Sequence, residues 1–392
     1  MTLLGTRVTA PPMLGAVWTL LVINTLGSQG AVTVVTLPRT VVQMITMGSV
    51  VLAFALAIVL NPRLRIRPSA FLLLLSLLLV VSVVASARLE SGYGALFRCG
   101  RLAFFVATLW LISPWWDDAL AFVRHHIKVL GAVLLTVVAG LAIAPGLALP
   151  DIYGGRLTGA IWPLTPPQVG QYSAVIIGLA FLLWLGRHID LRSMLVVVIP
   201  AVAVLLATHT RTATIGLVIA LGAAVLSLVP ASARARRAFA VGVAVAGLVA
   251  VALGPAVQTW LRRGQNDENF ANLTGRQKVW DALLAAPRDT VEQLFGVGLT
   301  NKSFDGLPID SSWLAVYQDQ GYVGVVIVVV MLATLVVVAA LRPPSPARAC
   351  ALFLIGYCLI ASYTEAGLGD ASPYLLHLTV AAALLSVGEA RT

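Results

Sequence analysis

The chain has 392 residues, of which 59% are hydrophobic and only 11% are charged, and its formal net charge is +10. Soluble domains are about 45–50% apolar and about 25% charged, and a soluble chain of this length could not bury so much apolar surface. The composition therefore excludes a cytosolic enzyme, a secreted domain and a disordered chain. The three cysteines and five histidines show neither a disulfide framework nor metal-ligand spacing, so we expect no metal and no cofactor.

Apolar stretches recur along the chain, and a helix of about 20 apolar residues crosses the hydrocarbon core. The sequence thus predicts an all-α polytopic membrane protein with about twelve spans in one membrane domain, residues 1–392. The predicted spans are 13–28, 39–60, 70–87, 101–113, 128–148, 169–186, 193–208, 212–230, 238–256, 321–341, 349–364 and 373–388.

The distribution of basic residues favours one topology. Arginine and lysine concentrate in the short loops that a cytoplasmic N-terminus would place inside, as the positive-inside rule requires. We therefore expect both termini in the cytoplasm. The positive charge is then a signal of topology, and the expected partners are membrane lipids and not nucleic acid.

Residues 257–320 form one long extracytoplasmic loop between the ninth and tenth predicted spans. A long structured loop among short connections is a common place for function. Inside it, residues 273–287 predict a helix with a capping box formed by Thr274 and Gln277. Arg276 falls in the first turn, where free backbone N–H groups and the helix dipole favour an anion. The alternative is a solvated loop arginine.

Two further charged residues lie close to the ends of predicted apolar spans. Asp310 precedes a second helix that leads into the tenth span, and either belongs to a site or, like Ser311, caps that helix. Arg211 lies at the outer membrane boundary, where a charge is normally turned toward a cavity or an anion. The alternative for Arg211 is snorkelling of its side chain to lipid headgroups.

More arginines collect on the same predicted outer side. Arg98 and Arg101 are three residues apart and so lie on one helix face, and we expect Arg88, Arg156 and Arg288 to join them. A guanidinium group matches phosphate because its planar fork donates two parallel hydrogen bonds. The expected ligand of these arginines is a polyanion with a lipid tail, such as a polyprenyl pyrophosphate that carries a glycan.

The remaining polar residues allow two interpretations. Glu365 and Asp370 flank an outer loop and either line the acceptor side of a site or are simply solvated, and His377 is expected to be a hydrogen-bonded helix histidine. A solvated cytoplasmic cluster is expected from four neighbours: Asp117, Asp118, His125 and His126.

Five stretches resemble, in this order along the chain, motifs of the O-antigen ligase and O-antigen polymerase superfamily. They are Gly155–Pro163 with Gly170, His209–Leu217, Leu273–Ala285, Phe295–Gly298 and Asp310–Gly324. The resemblance covers about residues 150–340, together with the layout of about twelve helices and one large outer helical loop. It implies a fold like that of GT-C glycosyltransferases.

The resemblance also implies an activity. Such enzymes are inverting and metal-independent, and they work at the outer face of the bacterial inner membrane. They transfer a glycan from a polyprenyl-pyrophosphate carrier to a glycan or lipid-glycan acceptor, as ligases or as polymerases. Arg211 and Arg276 match the family's arginines, which would hold the leaving pyrophosphate. Asp310 stands where the ligases carry histidine, and an aspartate there is expected to act as the general base.

Two other classes of function remain open at this point. A transporter, for example a flippase for lipid-linked oligosaccharides, would often show two related halves and charged residues near the bilayer midplane. The sequence shows no clear repeat, and its arginines gather at one side. A non-catalytic scaffold would leave the charge of Arg211 at a lipid boundary without a use.

Overall fold

The computed structural model describes residues 11–27, 33–87, 93–262, 276–300 and 302–386. Arg88 and the predicted helix cap Thr274 lie outside these residues. Over the described residues the chain forms fifteen α-helices: α1 (Pro12–Thr25), α2 (Arg39–Leu60), α3 (Ala70–Ala87), α4 (Tyr93–Ile112), α5 (Ala119–Ile143), α6 (Pro145–Ala148), α7 (Pro166–Leu185), α8 (Leu191–Ala207), α9 (Arg211–Leu228), α10 (Ala233–Arg262), α11 (Arg276–Ala285), α12 (Thr290–Phe295), α13 (Ser312–Leu341), α14 (Pro346–Ala361) and α15 (Pro373–Ser386).

The helices confirm an all-α, membrane-type architecture. In the described parts of the chain, eight helices are long and apolar enough to cross a membrane, and four shorter apolar helices, α1, α8, α14 and α15, accompany them. These twelve helices overlap the twelve predicted spans one by one. That all twelve cross the membrane stays a prediction, because the four shorter helices have no more than 17 residues each.

The start of the fourth predicted span, at residue 101, is wrong. The helix begins by Tyr93, so Arg98 and Arg101 lie inside α4 and not in a loop before it. Apolarity alone places the boundary too late because two arginines interrupt the apolar run. Both are half-buried and their guanidinium groups reach backbone carbonyls of other segments, which satisfies them within a helix.

Helix α7 lies at the centre of the bundle. It is the most deeply buried of the eight long apolar helices, and it packs against α5, α8, α9 and α14. Gly178 makes room for the Phe353 ring of α14, since any side chain at this position would overlap that ring. Helix α10 lies at the opposite extreme: it packs against α9, but the apolar part of its surface is not buried within the protein.

The connections at one end of the bundle are tied to one another, and we call this end the loop end. The Trp162 indole donates to the Leu26 carbonyl over 2.8 Å, and Arg101 donates to the carbonyls of Asn24 and Ala371 over 2.7 and 3.2 Å. Helix α4 and three separate connections thus meet at one place. The other end of the bundle is fastened in the same way, for example by Arg67, which donates to the Ser386 carbonyl.

A second, small apolar core stands apart from the main one at the loop end. It consists of Leu283, Ile309 and Ala315 with partly buried neighbours that include Phe304 and Ala366. Helix α11, which the sequence predicts, docks through this core onto the start of α13. Apolar contact thereby fixes the position of a helix that has only ten residues and would be marginal alone.

A two-stranded hairpin joins the same core and was not predicted. Strand β1 (Ser303–Phe304) pairs with β2 (Leu307–Pro308) in antiparallel orientation. Asp305 and Gly306 between them both have positive φ, at 49° and 77°. An Asp-Gly pair is typical of such tight turns, but strands of two residues carry no alternating pattern that could reveal them.

Helix α13 is broken at Gly321, whose φ of 63° and ψ of −165° are not helical. The break leaves the carbonyls of Gln318 and Asp319 without helical partners, and the N–H groups of Val297 and Gly298 donate to them over 2.9 and 3.0 Å. The chain crosses the helix closely here: a side chain at Gly296 would overlap the backbone of the residues before the break.

Replacing Gly296 with alanine tests this crossing. Gly296 has a φ of 75° and a ψ of −175°, a region that only glycine adopts readily, so strain of about 1–3 kcal/mol adds to the overlap. We expect Gly296→Ala to lower the thermal unfolding midpoint of the purified protein clearly. The matched control is Gly48→Ala in α2, which meets no atom within 4 Å and should be neutral or slightly stabilising. Equal midpoints for the two variants would contradict this account.

Candidate functional site

Three charged side chains from separate segments meet at the loop end. Arg276 Nε donates to Asp310 Oδ2 over 3.0 Å, and Arg276 Nη2 lies 3.6 Å from Glu365 Oε1. The Glu365 side chain is 18% exposed and that of Asp310 is 37% exposed. One guanidinium therefore holds two carboxylates, of which Glu365 is the more buried. We call these three residues the charge cluster.

Apolar packing brings Arg276 to this place. It is the first described residue of α11, and Leu283 of the same helix is fully buried in the small core. The Trp280 ring packs edge-on against Tyr363, with 5.5 Å between ring centroids. Helix α11 is thus fixed against both the segment before α13 and the loop after α14. These are the two segments that carry the carboxylates.

The cap interpretation of Asp310 does not match its geometry. Ser311 is the N-cap residue of α13, and its side chain makes no capping hydrogen bond. The Asp310 carboxylate instead accepts a hydrogen bond from Arg276. It is therefore held toward the charge cluster and away from the helix backbone.

Ser312 holds the two acidic segments together. Its N–H donates to the Ser362 carbonyl over 2.9 Å, and its hydroxyl donates to the Glu365 carbonyl over 2.6 Å. The same hydroxyl accepts from the Gly367 N–H over 2.9 Å. The backbone around Glu365 is thereby held against the start of α13. Ser312, which holds it there, follows Asp310 by two residues. Sequence reasoning gave Ser312 no role.

Arg156 and Arg211 approach the charge cluster from a further pair of segments. Arg156 donates to the Thr208 carbonyl over 2.8 Å and to the Thr210 hydroxyl over 3.1 Å. Arg211 follows directly as the first residue of α9. The Thr212 and Thr364 hydroxyls are 2.7 Å apart, which fastens α9 beside Glu365. Arg276 is close enough to both Arg156 and Arg211 for their charges to interact.

The electrostatics of this arrangement depend on burial. Burial raises the pKa of the Glu365 carboxyl to about 7, although Arg276 and Arg156 lower it in part. Burial also lowers the pKa of the Arg156 guanidinium, and the charges of Arg276 and Arg211 act in the same direction. The three guanidinium groups thus lie within electrostatic reach of one another, Arg276 is paired with two carboxylates, and that of Glu365 is partly protonated near neutral pH. Their combined charge is positive and suits an anion.

A polar cavity of about 490 Å³ opens beside the cluster. Asp310 and Glu365 lie on its wall. Arg101 and Lys302 also line it, the latter with its ammonium 3.9 Å from the Asp370 carboxylate. The three residues Arg156, Arg211 and Arg276 are not among those that line this cavity. Arg276 lies behind the two carboxylates, so an anionic ligand could compete with them for this arginine.

Two of the predicted arginines serve the fold instead. Arg98 donates to the Leu299 carbonyl over 2.9 Å and so fixes the glycine turn that crosses α13. Arg288 stacks over the Tyr317 ring at 4.7 Å and donates to the Gln318 side chain. Neither residue lines the cavity. Their expected contact with pyrophosphate or glycan therefore has no geometric support.

The expectation of a solvated cytoplasmic cluster is wrong for His126. This side chain is fully buried, and its Nε2 lies 2.7 Å from Nδ1 of His377. The side chains of Asp117 and Asp118 lie outside the described residues. His377 is a hydrogen-bonded helix histidine, as expected, but its partners come from two other helices.

Sequence reasoning also missed part of the cavity wall. Lys302 and Thr300 lie in a glycine-rich stretch without periodicity, and no signal singles them out. Gln171 is different: it is a polar residue inside the apolar helix α7, and that alone could have identified it. One of the two interpretations of Asp370 placed it at a site, and this residue does line the cavity.

Comparison with known proteins adds no relative. No protein-family model matches this chain, and no curated protein matches it. Among the described residues, no group of three or more His, Cys, Asp and Glu side chains is placed to hold a metal ion.

The raised pKa of Glu365 can be tested through stability. A carboxyl group titrates near 4.3 in an unfolded chain, so between about pH 4.3 and 7 the folded protein binds more protons, and its stability falls as the pH rises. Glu365→Gln removes this dependence. We expect the unfolding midpoint of the wild type to fall by several degrees relative to Glu365→Gln between pH 5 and pH 8. A constant difference over that range would show that the pKa is not raised.

Proposed function

We propose that this protein is a membrane glycosyltransferase that moves a glycan from a polyprenyl-pyrophosphate carrier to a glycan or lipid-glycan acceptor. In this proposal it works as a ligase or a polymerase at the outer face of a bacterial inner membrane, with inversion and without a metal. The resemblance of five ordered motifs to the O-antigen ligase and polymerase superfamily is one support. The other is the geometry of the loop end.

One observation carries the proposal: Arg276 holds Asp310 and Glu365 at the edge of a polar cavity, and Arg156 and Arg211, from two distant segments, lie close enough for their charges to interact with that of Arg276. Bringing several cations together is costly unless an anion or carboxylates offset their repulsion. Here Arg276 is paired with two carboxylates, Asp310 and Glu365. A pyrophosphate group is a suitable further partner, because each guanidinium can donate two parallel hydrogen bonds to it.

The proposed reaction is a single displacement. The oxygen of an acceptor hydroxyl attacks the anomeric carbon, the bond from that carbon to the phosphate oxygen breaks, and the electron pair leaves with the pyrophosphate. The hydroxyl proton passes to the Asp310 carboxylate, which faces the cavity. Arg211 and Arg276 stabilise the charge that develops on the leaving group, and Arg156 holds the segment before Arg211 in place.

The first prediction from this proposal concerns Arg276. We expect Arg276→Ala to reduce glycan transfer by at least about a hundredfold, because one preorganised donor to developing charge is lost. The measurement is mass spectrometry of lipid-linked intermediates in a deletion strain complemented with each variant. Arg236→Ala is the matched control, because Arg236 is an exposed arginine on α10 whose guanidinium donates to the Val229 carbonyl and not to a residue of the charge cluster. Near-normal transfer by Arg276→Ala, with the protein folded, would contradict the assigned role.

The same intermediates separate the possible activities. Full-length glycan on the carrier in the deletion strain indicates a ligase, and single repeat units indicate a polymerase. If lipid-linked glycan accumulates only on the cytoplasmic leaflet, the protein is a flippase and the proposed transfer is wrong. The purified protein should then move lipid-linked glycan without forming a glycosidic bond.

The second prediction concerns the general base. We expect Asp310→Asn to lower transfer by about 10²–10⁴-fold while binding of the lipid-linked donor persists, since the cavity keeps its shape. Asp305→Asn in the exposed hairpin turn is the control. If Asp310→Asn transfers normally and Glu365→Gln does not, the proton passes to Glu365 and the assignment to Asp310 is wrong.

A further inference from the structure

A chain of polar side chains crosses the buried interior of the bundle. The Trp18 indole Nε1 donates to His126 Nδ1 over 3.2 Å. His126 Nε2 lies 2.7 Å from His377 Nδ1, and the amide nitrogen Nε2 of Gln171 lies 2.9 Å from His377 Nε2. Both histidines are fully buried, and Gln171 is 3% exposed. The proposed reaction uses none of these four residues.

The donor-to-acceptor direction along these hydrogen bonds follows from Trp18, the first residue of the series. An indole N–H can only donate, so His126 Nδ1 must accept and carry no proton. A neutral His126 then has its proton on Nε2 and donates it to His377 Nδ1. His377 Nδ1 accepts, so the proton of a neutral His377 is on Nε2 and faces Gln171. A doubly protonated ring at either position would set two donors against each other at one of the contacts.

The last contact fixes the amide of Gln171. Its partner, His377 Nε2, is a donor in this chain, and the amide nitrogen placed against it would set two donors against each other. The oxygen and nitrogen of an amide are assigned from the hydrogen-bond network, so the network requires the turned orientation, with the amide oxygen toward the histidine and the NH₂ group facing the other way. Gln171 is on the wall of the polar cavity beside Asp310 and Glu365. Arg101, another residue of that wall, donates instead to the backbone carbonyls of Asn24 and Ala371. The NH₂ group of Gln171 has an orientation that a buried chain imposes on it.

We propose that Gln171 is a ligand-binding residue that presents its NH₂ group to the cavity as a fixed hydrogen-bond donor, and that His126 and His377, directed by Trp18, are the positioning residues that hold it there. The acceptor is an oxygen of the bound glycan, which rests on the proposed transferase function. Preorganisation is the benefit: a glutamine that could turn freely would present its oxygen and its NH₂ group in turn, and would lose part of its binding energy in ordering.

The orientation can be measured without any assay of activity. In protein labelled with ¹⁵N-histidine and reconstituted in lipid nanodiscs, we expect His126 and His377 to be neutral at pH 7 with the proton on Nε2. The His126→Gln and His377→Gln variants assign the two signals. A proton on Nδ1 of either ring, or a doubly protonated ring, overturns the proposal. In Trp18→Phe we expect an Nδ1–H form of His126 to appear, and unchanged spectra would show that Trp18 does not set the direction.

The binding role is measured in proteoliposomes, with the lipid-linked glycan fraction extracted from the deletion strain as substrate. Gln171→Glu keeps an oxygen for His377 but loses the donor, and Gln171→Met loses both. We expect each to lower transfer about tenfold at low substrate concentration, the loss of one hydrogen bond to a neutral partner. Gln43→Glu on the exposed face of α2 is the matched control and should transfer like the wild type.

The two proposals fail in different ways. If the wild type transfers glycan and a folded Gln171→Glu or Gln171→Met variant does so equally well, the role of Gln171 is wrong and the proposed function stands. If the wild type forms no glycosidic bond, the proposed function is wrong and the glycan is not the acceptor of this hydrogen bond. The histidine spectra then decide the orientation of Gln171 independently.

Discussion

The loop end depends on one guanidinium between two carboxylates. Asp310 and Glu365 would repel each other at the edge of an apolar bundle, where charge is poorly screened, and Arg276 offsets this repulsion at 3.0 and 3.6 Å. The arginine can do so only because the small core docks α11 onto the start of α13. The Ser312 hydroxyl then fixes the loop of Glu365 beside it. Apolar packing therefore comes first, and the ion pairs follow from it.

Polar side chains form ion pairs at the loop end of the bundle and hydrogen bonds in its interior. At the end, charges are half-buried and paired with one another, as Arg276 is with Asp310 and Glu365. In the interior, a charge would be far more costly, and the polar side chains from α1, α5, α7 and α15 form a hydrogen-bonded chain. Gln171 joins the two regions because it belongs to the interior chain and also lines the cavity.

Several site residues could be predicted from where they stand along the chain. Arg211 and Asp310 lie at the start of apolar helices, and Arg276 lies in the first turn of a helix in the long loop; the structure pairs Arg276 with Asp310 and brings Arg211 close enough for its charge to interact with that of Arg276. Arg98 and Arg288 carry the same signal and yet serve packing. The difference is in their partners: a carbonyl or an aromatic ring from a remote segment satisfies them. Backbone carbonyls occur at every residue, so no sequence pattern marks the one that a given arginine will reach.

The sequence by itself determined the helical membrane-type architecture and the approximate bounds of eight long and four shorter apolar helices among the described residues, because the length of an apolar run is a local property. It also determined that cations would gather near the loops. Only the tertiary structure decided that Glu365 joins Asp310 on Arg276, that His126 pairs with His377 in the interior, and that Gln171 faces the cavity. These contacts join residues from segments far apart in the chain, and their geometry depends on how the helices pack.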